Sequence, residues 1–164
     1  MNLNQSKMTL KKYYRDSVRL AEALDKACIE LDNKYNINNG GCCYVAYVLF
    51  KLLEKDGLNP ILIINDYSDY LDENDIEYNL KYSHYHYCVK ICNKYINYID
   101  DGEDLDYVEI PNISAKEVLN LYKNGSWNRD YDKSLNKKIA KILKTKYFGI
   151  TSNIRKRRSK NKGK

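Results

Sequence analysis

Between Ser6 and Tyr35 apolar side chains recur at helical spacing: Leu20, Leu24, Cys28, Leu31 and Tyr35. No proline or glycine interrupts them, so the spacing predicts one long helix, with Tyr13–Asp16 as a candidate break. Asn36-Ile37-Asn38-Asn39-Gly40-Gly41 is a turn by composition. A second helix is predicted from Cys42 to about Asp56. It is apolar on nearly every side (Val45, Ala46, Val48, Leu49, Phe50, Leu52, Leu53), the pattern of a central, enclosed helix. Gly57 stands where a left-handed residue ends such a helix.

The pattern then changes to strands. Pro60 introduces Ile61-Leu62-Ile63-Ile64, a short buried strand. Residues 66–77 hold six acids and read as an exposed loop. Residues 82–91 and 95–100 read as two strands joined by a tight turn at Asn93-Lys94, and Tyr107–Ile110 reads as a fourth. Ser114 and Glu117 have the spacing of a capping box and start a helix that ends near Gly125. A last helix, about Ser134–Tyr147, puts Leu135, Ile139, Ile142 and Leu143 on one face. Helices, then strands, then helices is the α+β order, with a small antiparallel sheet packed on helices. The length of 164 residues suits one domain, here residues 1–150, followed by a basic flexible tail at 151–164.

Charge divides the chain in the same way. No acidic residue follows Asp132. Residues 133–164 carry 13 of the 28 basic residues, which leaves 15 basic against 22 acidic residues in 1–132. The net charge of +6 is therefore an acidic body joined to a basic end. No apolar run approaches the length of a membrane span, and the first residues lack the apolar core of a secretory signal. Five cysteines, an odd number without the spacing of a stapled domain, agree with a reducing compartment. The expected location is the cytoplasm, or a virus particle assembled there. No Gly-Lys-Ser or Gly-Lys-Thr phosphate loop is present, which argues against a P-loop nucleotide hydrolase.

The stretch richest in chemistry is Gly40-Gly41-Cys42-Cys43-Tyr44-Val45-Ala46. The first turn of a helix offers free N–H groups and the positive end of the dipole, and both favour thiolate over thiol. Glycines beside the sulfur let a substrate backbone approach. A nucleophilic thiol needs a base, and the base needs an orienting partner. The two histidines, His84 and His86, share a strand and a strand parity, and the next strand ends in Asp100-Asp101-Gly102. Cys, His and Asp in this order suffice for thiol-dependent acyl transfer.

The segment from Gly40 to Pro60 resembles the transglutaminase-like branch of the papain-like cysteine-enzyme superfamily. Gly41, Cys42, Ala46, Leu52-Leu53, Gly57 and Pro60 fit that pattern without a gap, and His86–Ile91 and Tyr95–Asp100 are similar to its two later strands. The resemblance covers roughly residues 39–102. It implies a papain-like fold, an amide or peptide hydrolase or acyl transferase, and Cys42 as nucleophile, His86 as base and Asp100 as orienter. It implies a protein or peptide substrate and neither metal nor organic cofactor. The chain departs from the pattern in places. Cys43 comes directly after Cys42 where the family has an aromatic, and Cys43-Tyr44-Val45-Ala46 fits the papain pattern shifted by one. Cys42 and Cys43, and His84 and His86, both stay open as pairs. Asn38 and Asn39 are the candidates for the upstream oxyanion residue.

Two rival readings remain. His84, His86, Cys88 and Cys92 lie close in sequence, although they lack the usual zinc spacings. The other rival is an inactive structural or binding protein, held to nucleic acid by residues 133–164. A basic segment of this kind binds phosphate polymers without sequence choice.

Overall fold

The structure is a computed structural model, and it describes residues 3–66, 86–99, 106–124 and 132–160. The expected acidic loop beyond Asp66, His84, the first part of the 82–91 strand, Asp100 and Gly125 lie outside the described residues.

The described chain is α+β. It has four helices and a four-stranded antiparallel sheet: α1 (Leu3–Tyr35), α2 (Cys42–Lys55), β1 (Ile61–Asp66), β2 (His86–Ile91), β3 (Lys94–Ile96), β4 (Asp106–Ile110), α3 (Ala115–Asn124) and α4 (Asn136–Lys160). A 3-10 turn, Lys133–Leu135, leads into α4. The strand order is β3-β2-β1-β4.

Helix α2 is the centre. Nine of its 14 residues are buried and fill more than half of its circumference, while Tyr44, Tyr47, Lys51 and Lys55 occupy the remaining, partly open side. Leu20, Ala21, Leu24, Cys28 and Leu31 form the stripe by which α1 joins the same core. One face of the sheet completes it. Ile64 pairs with Tyr87 and Val108, and Leu62 with Val89 and Ile110, so these side chains share the helix-facing side. The opposite face carries Ile63, Asn65, His86 and Cys88, all buried, and Lys90. There Lys90 pairs with Glu109 and lies 5.4 Å from the centre of the Tyr95 ring.

Local chemistry explains the element ends. Gly57, at φ +71, ends α2 and donates to Glu54 O at 2.9 Å, while Leu58 N–H reaches Leu53 O at 3.1 Å. The capping box at α3 forms: Ser114 N–H donates to Glu117 Oε2 at 2.8 Å and Glu117 N–H donates to Ser114 Oγ at 3.3 Å. Helix α4 is seated by Ile139, Leu143 and Tyr147, and the Tyr147 hydroxyl donates to Asp56 Oδ2 at 2.6 Å.

Four expectations are corrected. The strand expected over 95–100 is β3, Lys94–Ile96, because Asn97 turns the chain out of it at φ +64. Helix α1 is unbroken at Tyr13–Asp16, because nothing there is a strong helix breaker. The β2–β3 turn is Cys92-Asn93, one residue earlier than expected; Cys92 adopts φ +52 and Lys94 already pairs with Ile91. Residues 151–160, expected as part of a flexible tail, continue α4 to Lys160. Lysine and arginine are good helix formers, and extending a packed helix avoids the cost of a new nucleus. Cations at the last turns also meet the negative end of the dipole.

Two measurements check this fold. Leu143→Ala should lower stability by about 3 kcal/mol in urea unfolding, since Leu143 is fully enclosed. Deleting residues 155–164 should reduce the far-ultraviolet helical signal, because the backbone of 155–160 is helical; a coil there would leave the helical signal unchanged.

Candidate active site

The site is built on the start of α2. Gly40, at φ +89, turns the chain out of α1, and Gly41 precedes the first helical residue without a side-chain cap. The first N–H groups of α2 are therefore left to other acceptors. The sulfur of Cys42 takes that place. The N–H groups of Tyr87, Cys43 and Cys42 itself point at it and favour the thiolate. Burial opposes them and wins: Cys42 is 2% exposed and its thiol is pushed up to about 11, with the nearby Asp32 charge acting in the same direction.

The two adjacent cysteines face different neighbours. The Cys43 thiol donates to Val118 O of α3 at 3.9 Å, and burial pushes it well above the ordinary thiol range. Cys42 instead meets the first residues of β2, where Tyr87 stands directly after His86. His86 heads the strand and is 1% exposed. Its Nε2 is hydrogen-bonded to the main-chain oxygen of Asn97, so this nitrogen carries the proton. The other nitrogen, Nδ1, is unprotonated and has no hydrogen-bond partner. No hydrogen bond therefore joins the Cys42 thiol to the imidazole. Burial lowers the His86 pKa below 6.5, opposed by the Asn97 contact and by Asp32.

A polar network holds this histidine. Asn97 lies just past β3 in a left-handed conformation, φ +64. Its N–H donates to Asp25 Oδ1 of α1 at 2.8 Å, and its side-chain Nδ2 to Asn38 Oδ1 at 3.0 Å. Asn38 N–H in turn donates to Asp32 Oδ1 at 2.8 Å. The α1–α2 turn, the end of α1 and the end of β3 are thereby tied together behind the imidazole. Asn38, a candidate oxyanion residue by sequence, spends its side-chain oxygen on Asn97. Across the sheet, Asn65 pairs in register with His86 and accepts from the Cys88 thiol at 3.7 Å.

Of the residues expected from sequence, Cys42 comes against the backbone next to His86, but the His86 side chain stands on the sheet face opposite the one packed on α2, so the expected thiol–imidazole pair is not formed. Cys43 is turned to α3, while His84 and Asp100 lie outside the described residues. Among the described residues no group of three or more His, Cys, Asp or Glu is arranged to hold a metal. Sequence reasoning missed Asn97, Asp25 and Asp32. A main-chain carbonyl leaves no mark in a sequence; the one available signal was an asparagine directly after a short strand, a residue type that tolerates positive φ.

These shifts give a pH dependence with a definite sign. The raised Cys42 thiol adds stability that is complete below its ordinary value of 9.0 and is lost as pH climbs toward about 11. The lowered His86 adds stability that is complete above 6.5 and is lost as pH falls through its lower folded value. Cys42→Ala should flatten the alkaline loss measured by urea unfolding by about 2–3 kcal/mol, two units at 1.36 kcal/mol each. His86→Gln should flatten the acid side and leave the alkaline side unchanged.

The chain matches no family model, no curated protein and no solved structure.

Proposed function

We propose that the protein is a cysteine-dependent amide or peptide hydrolase or acyl transferase with a papain-like, transglutaminase-like arrangement. Cys42 is the nucleophile, His86 the base and Asp100 the orienter, with the Asn97 carbonyl sharing the orienting task. One observation carries the reading: the thiol at the uncapped start of the central helix lies against the strand backbone directly beside a histidine whose Nδ1 is buried and unpartnered.

The chemistry rests on the resting protonation states. The thiol is neutral and the imidazole is neutral, so attack requires removal of the S–H proton as the bond to the substrate carbonyl forms. His86 stands on the sheet face turned from α2, so Nδ1 takes that proton only after its side chain swings round the start of β2 or through a bridging water, and the resulting imidazolium is favoured by the nearby Asp32 charge. The oxyanion meets N–H groups at the start of α2. Nδ1–H then protonates the leaving amine as the C–N bond breaks, which leaves a thioester on Cys42. Water releases the acid, or a second amine takes the acyl group; both routes use the same residues.

Burial favours a second reading. Cys42 is almost wholly enclosed, and a thiol held near 11 is a poor nucleophile, which suits an inactive scaffold of the same fold acting as a structural or binding protein. The two readings part in one experiment. A peptide vinyl sulfone, which mimics an acyl substrate, is incubated with the full chain at pH 7, and the labelled cysteine is identified by mass spectrometry. The enzyme reading expects labelling at Cys42, retained in Cys43→Ala and reduced at least 10²-fold in His86→Asn. Labelling that ignores His86, or spreads evenly over the five cysteines, supports the scaffold.

A further inference from the structure

Helix α4 is about 37 Å long and carries no acidic residue. The five lysines of its first three turns divide into two sets. Lys138 lies 4.8 Å from the centre of the Tyr35 ring, and Lys146 pairs with Glu30 at 2.9 Å; both help to seat α4 on α1. Lys137, Lys141 and Lys144 are spaced i, i+4, i+7 and are exposed, on the side of the helix away from buried Ile139, Leu143 and Tyr147. Among the described residues none of these three ammonium groups has an ion-pair or hydrogen-bond partner. One further turn along the same line stands Phe148, 56% exposed. The sequence then places Arg155, Lys156, Arg157, Arg158 and Lys160 in the last turns of the same helix.

We infer that the outer face of α4 is a docking surface for the phosphodiester backbone of duplex nucleic acid. Charge complementarity carries the inference. A row of three cations with no ion-pair partner among the described residues faces outward on one helix, while residues 1–132 carry seven net negative charges. A polyanion is therefore attracted to this face and repelled elsewhere, which fixes its orientation. Other anionic partners fit less well. A helix that lies on a membrane buries an apolar face, and α4 has already committed Ile139, Leu143 and Tyr147 to the core. An acidic protein partner needs apolar anchors at the centre of its contact, and this face offers Phe148 alone. One exposed aromatic also makes no stacking platform for single strands. The surface is available whether or not Cys42 is a nucleophile.

The test uses the full chain and a labelled 20-base-pair DNA of arbitrary sequence, with binding tracked by anisotropy from 50 to 300 mM salt. Binding is expected at the lowest salt, weakening linearly in log–log form. The triple variant Lys137→Gln, Lys141→Gln, Lys144→Gln should lower the slope by about 2.7 and weaken binding about 10²-fold near 0.1 M salt, at 0.9 ions per phosphate contact. A control with the same charge change at exposed Lys55, Lys116 and Lys123 should bind nearly as the parent does. Absence of binding at 50 mM salt would overturn the inference. So would equal weakening by the control, or a triple variant that binds as the parent while deletion of residues 155–164 abolishes binding. Stronger association with phosphatidylserine vesicles or with polyglutamate than with DNA would equally overturn it.

Discussion

The fold depends on enclosing α2. A helix whose nine buried residues fill more than half of its circumference must be covered on several sides, leaving only the side of Lys51 and Lys55 to solvent. The sheet supplies one wall, through the alternate residues that include Leu62, Ile64, Tyr87 and Val89, and α1, α3 and α4 supply the others. Much of the remaining architecture serves this enclosure. The hydrogen bond from Tyr147 to Asp56 secures α4 across the end of α2, and Ala115 N–H donates to Glu54 Oε1 at 3.0 Å, which ties the start of α3 to the same end.

Enclosure also sets the character of the candidate site. Helix starts favour anions, and the sulfur of Cys42 receives three N–H groups, yet desolvation outweighs them. The neighbouring histidine is subject to the same force with the opposite sign of charge, so both groups rest neutral. Asp32 cannot favour both charged forms at once: it opposes the thiolate and supports the imidazolium. The arrangement is thus suited to proton transfer during attack rather than to a standing ion pair.

The sequence made the α+β class and most elements legible because their signals are local. The apolar run Ile61–Ile64 after Pro60, the Ser114–Glu117 spacing and Gly57 each encode a geometry within a few residues. Cys42 and His86 were legible as residue types with a chemistry. Their surroundings were not, because the contacts are between distant segments: Asp25 to Asn97 spans 72 positions and Asn38 to Asn97 spans 59. The choice between Cys42 and Cys43 could not be made from adjacent letters either. It depends on a 100° step around a helix, which turns one sulfur to β2 and the other to α3. The end of α4 escaped for a different reason. A segment too polar to form a core still remains helical when it prolongs one that has a core.

The placement of Cys42 in the most enclosed helix has a kinetic consequence. A reagent or substrate too large to enter reaches the sulfur only through excursions that part the start of α2 from β2. Its apparent rate is then the intrinsic rate multiplied by an opening equilibrium, as for exchange of a protected amide hydrogen. Mutations remote from the sulfur that loosen the seating of α1, such as at Asp25 or Glu30, would change that equilibrium without touching the chemistry. The thiol is therefore a native reporter of local breathing in the core, and its temperature dependence would track the opening enthalpy of that region rather than a bond-making barrier.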